Sequence, residues 1–422
     1  MVPDVGMPSI ATRTTILLAV IIFLVGCGAG LNNNSTAPSS AAASSPSSRT
    51  CAATVLDALG RVATRVYREG VSSERTGAAL HFIETSKPLR DAVERGDALR
   101  AQAAAQSLLA TGHMTNLKVM RNGRVLADVG GPDALAPLRG TLTGAGGAPI
   151  ATFVTSVWAA AGFIAETNGI AEGGVALRAG GRSIAGSFEL PGGGLPAEGT
   201  LVKEGVAYQY TSFPATLYPS GSLRVYLLRS VRSTAPFCGR TAEDTVVKTL
   251  SHVATLIYAG EAGRRTLVEV RRVQHDPALL RAVARREPAA TRQAIMGLLN
   301  QHIVRLRVSA GGRLLDDVGG PFVLAPVSAT LRLGGRTIGS FVLSIQDDEG
   351  YRRLTKRLAG LDVLMYMGST LVKNSLGPTP GTVPASGTYH YRGRTFRVFT
   401  LHAKAFPSGP LRIVVLIPIP YV

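Results

Sequence analysis

The sequence predicts an α+β protein made of two copies of one domain, and three observations support this prediction. The pentapeptide Asp-Val-Gly-Gly-Pro at 128–132 recurs at 317–321. At nearly the same offset, Tyr-Pro-Ser-Gly at 218–221 meets Phe-Pro-Ser-Gly at 406–409. Each copy also opens with helical periodicity and continues in short strands separated by glycine turns. So steady a register indicates an internal duplication, with copies at 51–237 and 238–422.

Each copy begins with long helical sequence. Apolar residues recur three and four positions apart, as in Val246, Leu250, Val253 and Ile257, which is the spacing of one helix face. The predicted helices cover 52–68 and 78–109 in the first copy, and 242–258 and 267–299 in the second.

The remainder of each copy predicts an antiparallel sheet of five or six strands with one helix midway. In the second copy, residues 303–308 alternate between apolar and polar, turn at Gly311-Gly312 and return. The midway helix is expected to start at Asp347 or Asp348, because aspartate caps helix N-termini, and to run to about residue 358. The strands that follow it are predicted at 363–367, 370–374, 388–391, 395–402 and 411–417.

The N-terminus has the features of a bacterial lipoprotein signal. The apolar run at 16–25 is shorter than the roughly 20 residues of a membrane span and is typical of a signal-peptide h-region. Leu-Val-Gly-Cys at 24–27 resembles the lipobox, in which Cys27 is lipidated and residues 1–26 are removed. An ordinary secretory signal with a chance cysteine is the alternative.

Residues 27–50, rich in Asn, Ser, Ala and Pro, are expected to form a disordered tether. The sequence therefore predicts a protein held by lipid at the outer face of the cytoplasmic membrane, a compartment that argues against a nucleic-acid partner.

Charge and cysteine content narrow the class of protein further. The 422 residues carry 45 Lys+Arg against 27 Asp+Glu, and only 3 Cys, which excludes a disulfide-dense or cysteine-rich zinc fold. Much of the positive charge lies in the helical part of the second copy. We call this set the arginine face: Arg264, Arg265, Arg271, Arg272, Arg281, Arg285, Arg286 and Arg292. It is either a solvated helix surface or a contact for anionic lipid headgroups, an anionic envelope polymer or an acidic partner.

Motifs of enzymatic or metal chemistry are missing from the sequence. It contains no His-Glu-x-x-His, Gly-x-Ser-x-Gly, phosphate-binding Gly-Lys-Ser/Thr or Cys-x-x-Cys. The 7 His residues do not cluster at the spacing of metal ligands. We therefore expect neither an enzyme nor a bound cofactor or metal.

The order of elements in copy two is carried by the strand at 335–345 (Gly-Arg-Thr-Ile-Gly-Ser-Phe-Val-Leu-Ser-Ile), the short helix at 351–358, the strand at 361–367 and the hairpin at 393–417. This order resembles the Cache domain, the PAS-like extracytoplasmic sensor module of bacterial receptors, and the resemblance covers nearly all of 51–422 as two tandem domains. Residues 149–154 follow the same pattern more loosely in copy one. The resemblance implies a pocket on the sheet, beneath the loops and the midway helix, for an amino acid or carboxylate. The family usually continues into a membrane helix and a signalling module. We see neither, so the expectation is a sensor that acts through a membrane signalling partner.

The two copies differ at positions that suit a ligand pocket, and these positions are the ligand-binding candidates. Asp347 and Asp348 stand where copy one has alanines, and Tyr366 stands where copy one has Arg178. One carboxylate could hold a cationic ligand group with Tyr366 beside it, or the two aspartates simply cap the helix. Two more candidates, Arg332 and Lys373, could hold an anion or be solvated charges at strand edges.

The resemblance also implies a pairing for the two remaining cysteines. In a Cache-like fold the start of the first helix approaches the end of the last strand, which would bring Cys51 near Cys238 in a compartment that permits oxidation. The alternative is two free or buried thiols.

Two functions remain open on the sequence. The first is a lipid-anchored extracytoplasmic protein that binds a small molecule and acts through a partner. The second is a structural or adhesive cell-envelope lipoprotein that holds no small-molecule ligand.

Overall fold

The computed structural model describes residues 46–111, 114–299, 302–377 and 381–421. They belong to one compact unit, Ser44–Val422. The predicted signal peptide and Cys27, the predicted site of lipidation, lie outside the described residues. The first helix begins at Pro46, inside the stretch predicted as tether. Within the described residues, no helix combines the length and apolar composition that crossing a membrane requires.

Copy one contains six helices and eleven strands among its described residues. The helices are α1 (Pro46–Arg68), α2 (Glu74–Thr85), α3 (Lys87–Arg95), α4 (Ala98–Thr111), α5 (Ala160–Ala171) and α6 (Val231–Thr234), with a 3-10 turn at Ala235–Phe237. The strands are β1 (Asn116–Arg121), β2 (Arg124–Gly130), β3 (Ala134–Leu135), β4 (Leu138–Thr143), β5 (Pro149–Ser156), β6 (Trp158–Ala159), β7 (Gly174–Ala179), β8 (Arg182–Gly186), β9 (Glu198–Lys203), β10 (Val206–Leu217) and β11 (Gly221–Ser230).

Copy two repeats this order in its described part. Its helices are α7 (Ala242–Gly260), α8 (Arg264–Gln274), α9 (Pro277–Arg285), α10 (Pro288–Leu299) and α11 (Asp348–Ala359). Its strands are β12 (Arg305–Ala310), β13 (Arg313–Gly319), β14 (Val323–Leu324), β15 (Val327–Leu333), β16 (Arg336–Ser344), β17 (Gln346–Asp347), β18 (Asp362–Met367), β19 (Thr370–Asn374), β20 (Gly387–Tyr391), β21 (Arg394–Ala405) and β22 (Gly409–Ile419).

The helical sequence after α1 is broken into three helices in each copy, where the sequence predicted one. Ser86 caps α3 by accepting from the Leu89 N–H, and Gly96 ends that helix in the left-handed conformation at φ 67°. In copy two Asp276 caps α9 in the same way, directly before Pro277. Local capping at these points outweighs the continuous helical periodicity.

The predicted α+β class is confirmed, and in the described part all strands pair antiparallel. The strands of each copy form two sheets instead of a single sheet of five or six. The smaller sheets have the orders β2-β1-β5-β4 and β13-β12-β16-β15. The larger, seven-stranded sheets have the orders β6-β3-β10-β11-β7-β8 with β9 on β10, and β17-β14-β21-β22-β18-β19 with β20 on β21.

A buried serine marks the corner at which the chain leaves the smaller sheet for the larger one. At the end of β5, the Ser156 hydroxyl donates to the Leu135 carbonyl at 2.5 Å and accepts from the Trp158 N–H at 3.1 Å. Ser344 holds the same two bonds in copy two, to Leu324 and Gln346. These bonds attach the end of the smaller sheet to the paired two-residue strands β3 and β6, and β14 and β17, of the larger sheet. Strands of two residues are too short for sequence periodicity to reveal.

The two copies share one central core. Helices α1, α5, α7 and α11 lie between the two seven-stranded sheets, and fully buried Val62 of copy one and Val253 of copy two belong to the same apolar cluster. Each smaller sheet has its own core against the three helices before it, around Phe153 in copy one and Phe341 in copy two. The repeats are therefore joined through the helices that pack on their larger sheets.

The predicted disulfide is present. Cys51 in α1 is bonded to Cys238, which follows the 3-10 turn, with the two Cα atoms 5.7 Å apart. The bridge ties the central helix of copy one to the end of the same copy.

Candidate functional site

The two aspartates proposed from sequence lie at the start of α11. An oxygen of the Asp347 carboxylate accepts from the Gly350 N–H at 2.7 Å, which is the bond of a helix N-cap. Asp348 is buried, accepts from the Glu349 N–H at 2.9 Å and lies 3.5 Å from the Lys373 ammonium. The contacts of Asp347 are therefore those of a helix cap.

Lys373 takes part in an ion cluster with the carboxylates of Glu349 and Asp348. Its ammonium lies 3.2 Å from the Glu349 carboxylate, which also binds Arg352 at 2.6 Å. The Arg352 hydrogen bond, reinforced by Lys373 against the effect of burial, lowers the pKa of Glu349 to about 2. Burial opposes protonation of Lys373, but bonds to Glu349 and Asp348 raise its pKa. That Lys373 holds an anion stays a prediction, and in the structure Glu349 and Asp348 supply counter-charges to its ammonium.

Tyr366 lies on the opposite face of the sheet from Asp348. Side chains alternate along β18, so Met365 packs into the central core under α11 while Tyr366 packs on the far side. There its ring is 4.2 Å from the Arg412 guanidinium. The predicted pairing of Tyr366 with an aspartate around one ligand is wrong for this reason.

Arg332 is also separate from the other candidates. It is exposed on β15 of the smaller sheet, opposite Thr337, whereas Lys373 is on β19 of the larger sheet. Arg332 and Lys373 therefore lie in different sheets of copy two.

The space that the family resemblance assigned to the ligand is filled. Beneath α11 the Tyr351 side chain is completely buried, with its ring edge-on to Tyr258 at 5.8 Å between centroids. Phe163, also fully buried, occupies the corresponding position under α5 of copy one. The midway helices thus pack directly on the central core.

A cavity of about 630 Å³ opens instead between the two copies. We call it the inter-copy cleft. Its volume is in the range of small-molecule sites. Charged side chains converge in it from the first turn of α2, from the end of α7, from α8 and from α11. The charged and titratable residues that line it are Glu74, Arg75, Glu261, Arg265, Glu269, His302, Arg353 and Arg357.

Ion pairs join the copies at the cleft. Arg357 binds Glu69 of copy one at 2.5 Å, and Arg353 binds Glu74 at 3.5 Å. Arg353 and Arg357 are four residues apart on α11, so they share one face of that helix. Burial raises the pKa of Glu69, and the Arg357 charge opposes this rise.

Glu261 is the unusual acid in the cleft. It is the C-cap residue of α7, and no cation lies within 4.0 Å of its carboxylate in the described part of the chain. Burial raises its pKa to about 7, with Arg265 lowering and Glu166 raising it. Burial, together with the Arg265 charge, lowers the pKa of Arg75. A pocket with perturbed titratable groups of both signs is a candidate site for a ligand carrying both charges.

Sequence reasoning missed this cleft because its residues come from distant segments of both copies. The available signal was weak: Glu261 and Arg265 are four residues apart, but a helix break at Gly263 separates them. Among the described residues, no group of three or more His, Cys, Asp or Glu side chains is placed to hold a metal ion.

Comparison with known proteins adds little to this geometry. No protein-family model matches the chain, and no curated protein matches it significantly. Among solved structures, an extracellular ligand binding receptor from Desulfohalobium retbaense is 14% identical over 44% of this chain, with a TM-score of 0.25. The match spans 40% of that receptor.

A second solved structure, the periplasmic domain of LuxQ from Vibrio cholerae, is 10% identical, with 44% of this chain and 99% of that domain covered and a TM-score of 0.24. Scores this low do not establish a shared fold or function.

Proposed function

We propose that this protein is a lipid-anchored, extracytoplasmic protein that binds a small molecule in the inter-copy cleft and acts through a partner. The observation that carries the proposal is the meeting of Glu261 with several arginines in a cavity lined by both copies. The lipobox around Cys27 supports the location. The proposal includes no chemical step, cofactor or metal.

The cleft suits an amino acid or a related carboxylate. Arginine recognises a carboxylate through parallel N–H···O bonds, and Arg265 offers such a group beside the cavity. The Glu261 carboxylate is positioned to accept from a ligand ammonium. A ligand that bridges α2 of copy one and α11 of copy two would change the contacts between the copies, which is a change that a partner can detect.

The test is a thermal-shift and calorimetry screen of the unit Ser44–Val422 against amino acids and simple carboxylates. A ligand of the folded state raises the melting temperature. We expect Glu261→Gln to weaken the binding of an amino acid but not of the matching carboxylate without its amine, whereas Arg265→Met weakens both. Arg332→Met is the matched control, because Arg332 is exposed on β15 and does not line the cleft. No ligand in the screen, or unchanged affinity in both cleft variants, would refute the proposal.

The lipid anchor is tested separately in the full chain. Cys27→Ser is expected to abolish incorporation of labelled fatty acid and to release the protein from the membrane fraction, because the thiol is the acceptor. Cys51→Ser should leave labelling intact. Continued labelling of the Cys27→Ser protein would contradict the anchor.

Contact with an anionic envelope surface is the second candidate, favoured by a trough of about 650 Å³ among α8, α9 and α10. Arg272, Arg281 and Arg285 of the arginine face line it, and in the described part no carboxylate lies within 4.0 Å of Arg281. Sedimentation with phosphatidylglycerol vesicles should fall with added salt and with Arg281→Glu. Equal sedimentation with neutral vesicles would exclude this function.

A further inference from the structure

A second cavity lies in copy one, on the face of the seven-stranded sheet that points away from α5. Its volume is about 360 Å³, and the glycine-rich loop between β8 and β9 covers it. The polar side chains that line it are Arg178, Ser222, Arg224 and Tyr226, together with Gly193 and Gly194 of the loop. We call it the paired-arginine pocket.

The two arginines face the pocket from adjacent strands. Arg178 on β7 and Arg224 on β11 are direct cross-strand partners, so their side chains emerge on the same side of the sheet. Arg178 is only 7% exposed, and Arg224 is half-buried. Like charges directly opposite each other destabilise a sheet, and a buried charge is costly unless it is paired.

The protein satisfies these guanidinium groups only in part. Arg178 donates through Nε to the Gly181 carbonyl at 3.1 Å, through Nη1 to the Pro191 carbonyl at 2.9 Å, and through Nη2 to Gly181 again. Three of its five N–H groups are thereby used. Arg224 donates through Nη1 to the Ser212 hydroxyl at 3.0 Å. In the described part of the chain no carboxylate lies within 4.0 Å of either arginine.

Copy two shows how the same position looks without two like charges. Its corresponding cross-strand pair is Tyr366 and Arg412, with the guanidinium 4.2 Å from the ring centroid. There the aromatic ring accommodates the single cation. The paired arginines are therefore particular to copy one and are not a requirement of the repeated fold.

From these contacts we infer that the paired-arginine pocket binds a small oxyanion, a carboxylate or phosphate group, between Arg178 and Arg224. Guanidinium groups match both oxyanions through parallel hydrogen bonds. The anion supplies the counter-charge that the chain lacks there, and the Ser222 hydroxyl lies at the same cavity. This site is separate from the inter-copy cleft and does not depend on the function proposed for it.

Isothermal titration of the unit Ser44–Val422 with succinate and, separately, with inorganic phosphate tests the inference and distinguishes the two sources. We expect one of them to bind. Arg224→Met should weaken that binding by about tenfold or more, because it removes a charged donor. Arg178→Tyr, which installs the pair found in copy two, should abolish it. Arg412→Met is the matched control in copy two and should bind as the unmodified protein does.

Denaturant unfolding of each variant shows whether it is folded. Arg178→Tyr is the variant at risk of losing its fold, because Arg178 also donates to two backbone carbonyls. In that case the binding result for Arg224→Met decides the test. The inference is overturned if neither probe binds, or if folded Arg224→Met binds as tightly as the unmodified protein. It is also overturned if only the cleft variant Arg265→Met loses binding, since the anion then sits in the cleft.

Discussion

At the scale of single residues, the cleft places an acid where its charge is poorly solvated. Glu261 ends α7, and the pKa of its carboxylate is raised from 4.5 to about 7, chiefly by burial. The folded state therefore holds this proton more tightly than the unfolded state does. Between these two values folding takes up a proton, so this contribution to stability is complete below about pH 4.5 and is lost as the pH rises through 7.

Glu261→Gln is expected to remove that pH dependence. Ionisation of Glu261 lowers the free energy of unfolding by on the order of 3 kcal/mol between pH 4.5 and pH 8. The glutamine amide does not ionise, so the variant lacks this loss. Urea unfolding at pH 5 and at pH 8 measures the difference, with the exposed Glu198→Gln as control. An unchanged difference between the two pH values in Glu261→Gln would show that another group is responsible.

At the scale of elements, the two midway helices begin differently. Asp347 caps α11 through its side chain, whereas Ala159 in front of α5 makes no side-chain bond. In α11 the acids Asp348 and Glu349 in the first turn and Lys356 and Arg357 in the last also complement the helix dipole. Both helices pack a buried face on the core, and α11 has these local polar contacts in addition.

Removing the cap should have a modest effect on stability. Asp347→Ala is expected to lower the free energy of unfolding by about 1 kcal/mol. Asp347→Asn should keep most of the stability of the unmodified protein, because asparagine caps equally well. Urea unfolding compares the variants. A much larger loss, or no rescue by asparagine, would mean that the carboxylate has a role beyond capping.

The disulfide joins one element, α1, to the end of its own copy. Replacing both Cys51 and Cys238 by serine is expected to lower the free energy of unfolding by about 2–5 kcal/mol, as for other native bridges. A reducing agent should produce the same loss in the unmodified unit Ser44–Val422 and none in the double variant. Two reactive thiols in the denatured, unreduced unit would contradict the bridge.

At the scale of the whole molecule, the shared core predicts that the copies unfold together. Leu250 of α7 is fully buried in the cluster that also contains α1 and α5. Trp158, the sole tryptophan, lies in copy one against the same cluster. A defect in copy two should therefore be visible in the fluorescence of copy one.

Leu250→Ala is expected to lower the free energy of unfolding by about 2–5 kcal/mol. The Trp158 transition should move with the far-UV circular dichroism. Leu314→Ala, at a half-exposed position of copy two, is the control and should change stability by less than about 0.5 kcal/mol. If Leu250→Ala leaves the Trp158 transition where it was, the copies are independent.

The sequence by itself determined the duplication and the α+β class, and it predicted the midway helix with a cap at either Asp347 or Asp348. The Cys51–Cys238 pairing was implied by the family resemblance, with two free or buried thiols as the alternative. The duplication, the fold class and the midway helix depend on repeats, and on periodicities and capping residues close together in the chain. The cysteine pairing depends on the resemblance of each copy to a known domain. The tertiary structure alone decided that each copy has two sheets, that Tyr366 and Asp348 lie on opposite faces, and that the candidate sites lie elsewhere. The physical reason is that strand pairing and cavity lining join residues far apart in the chain, and their contacts follow from the packing of two copies around one core.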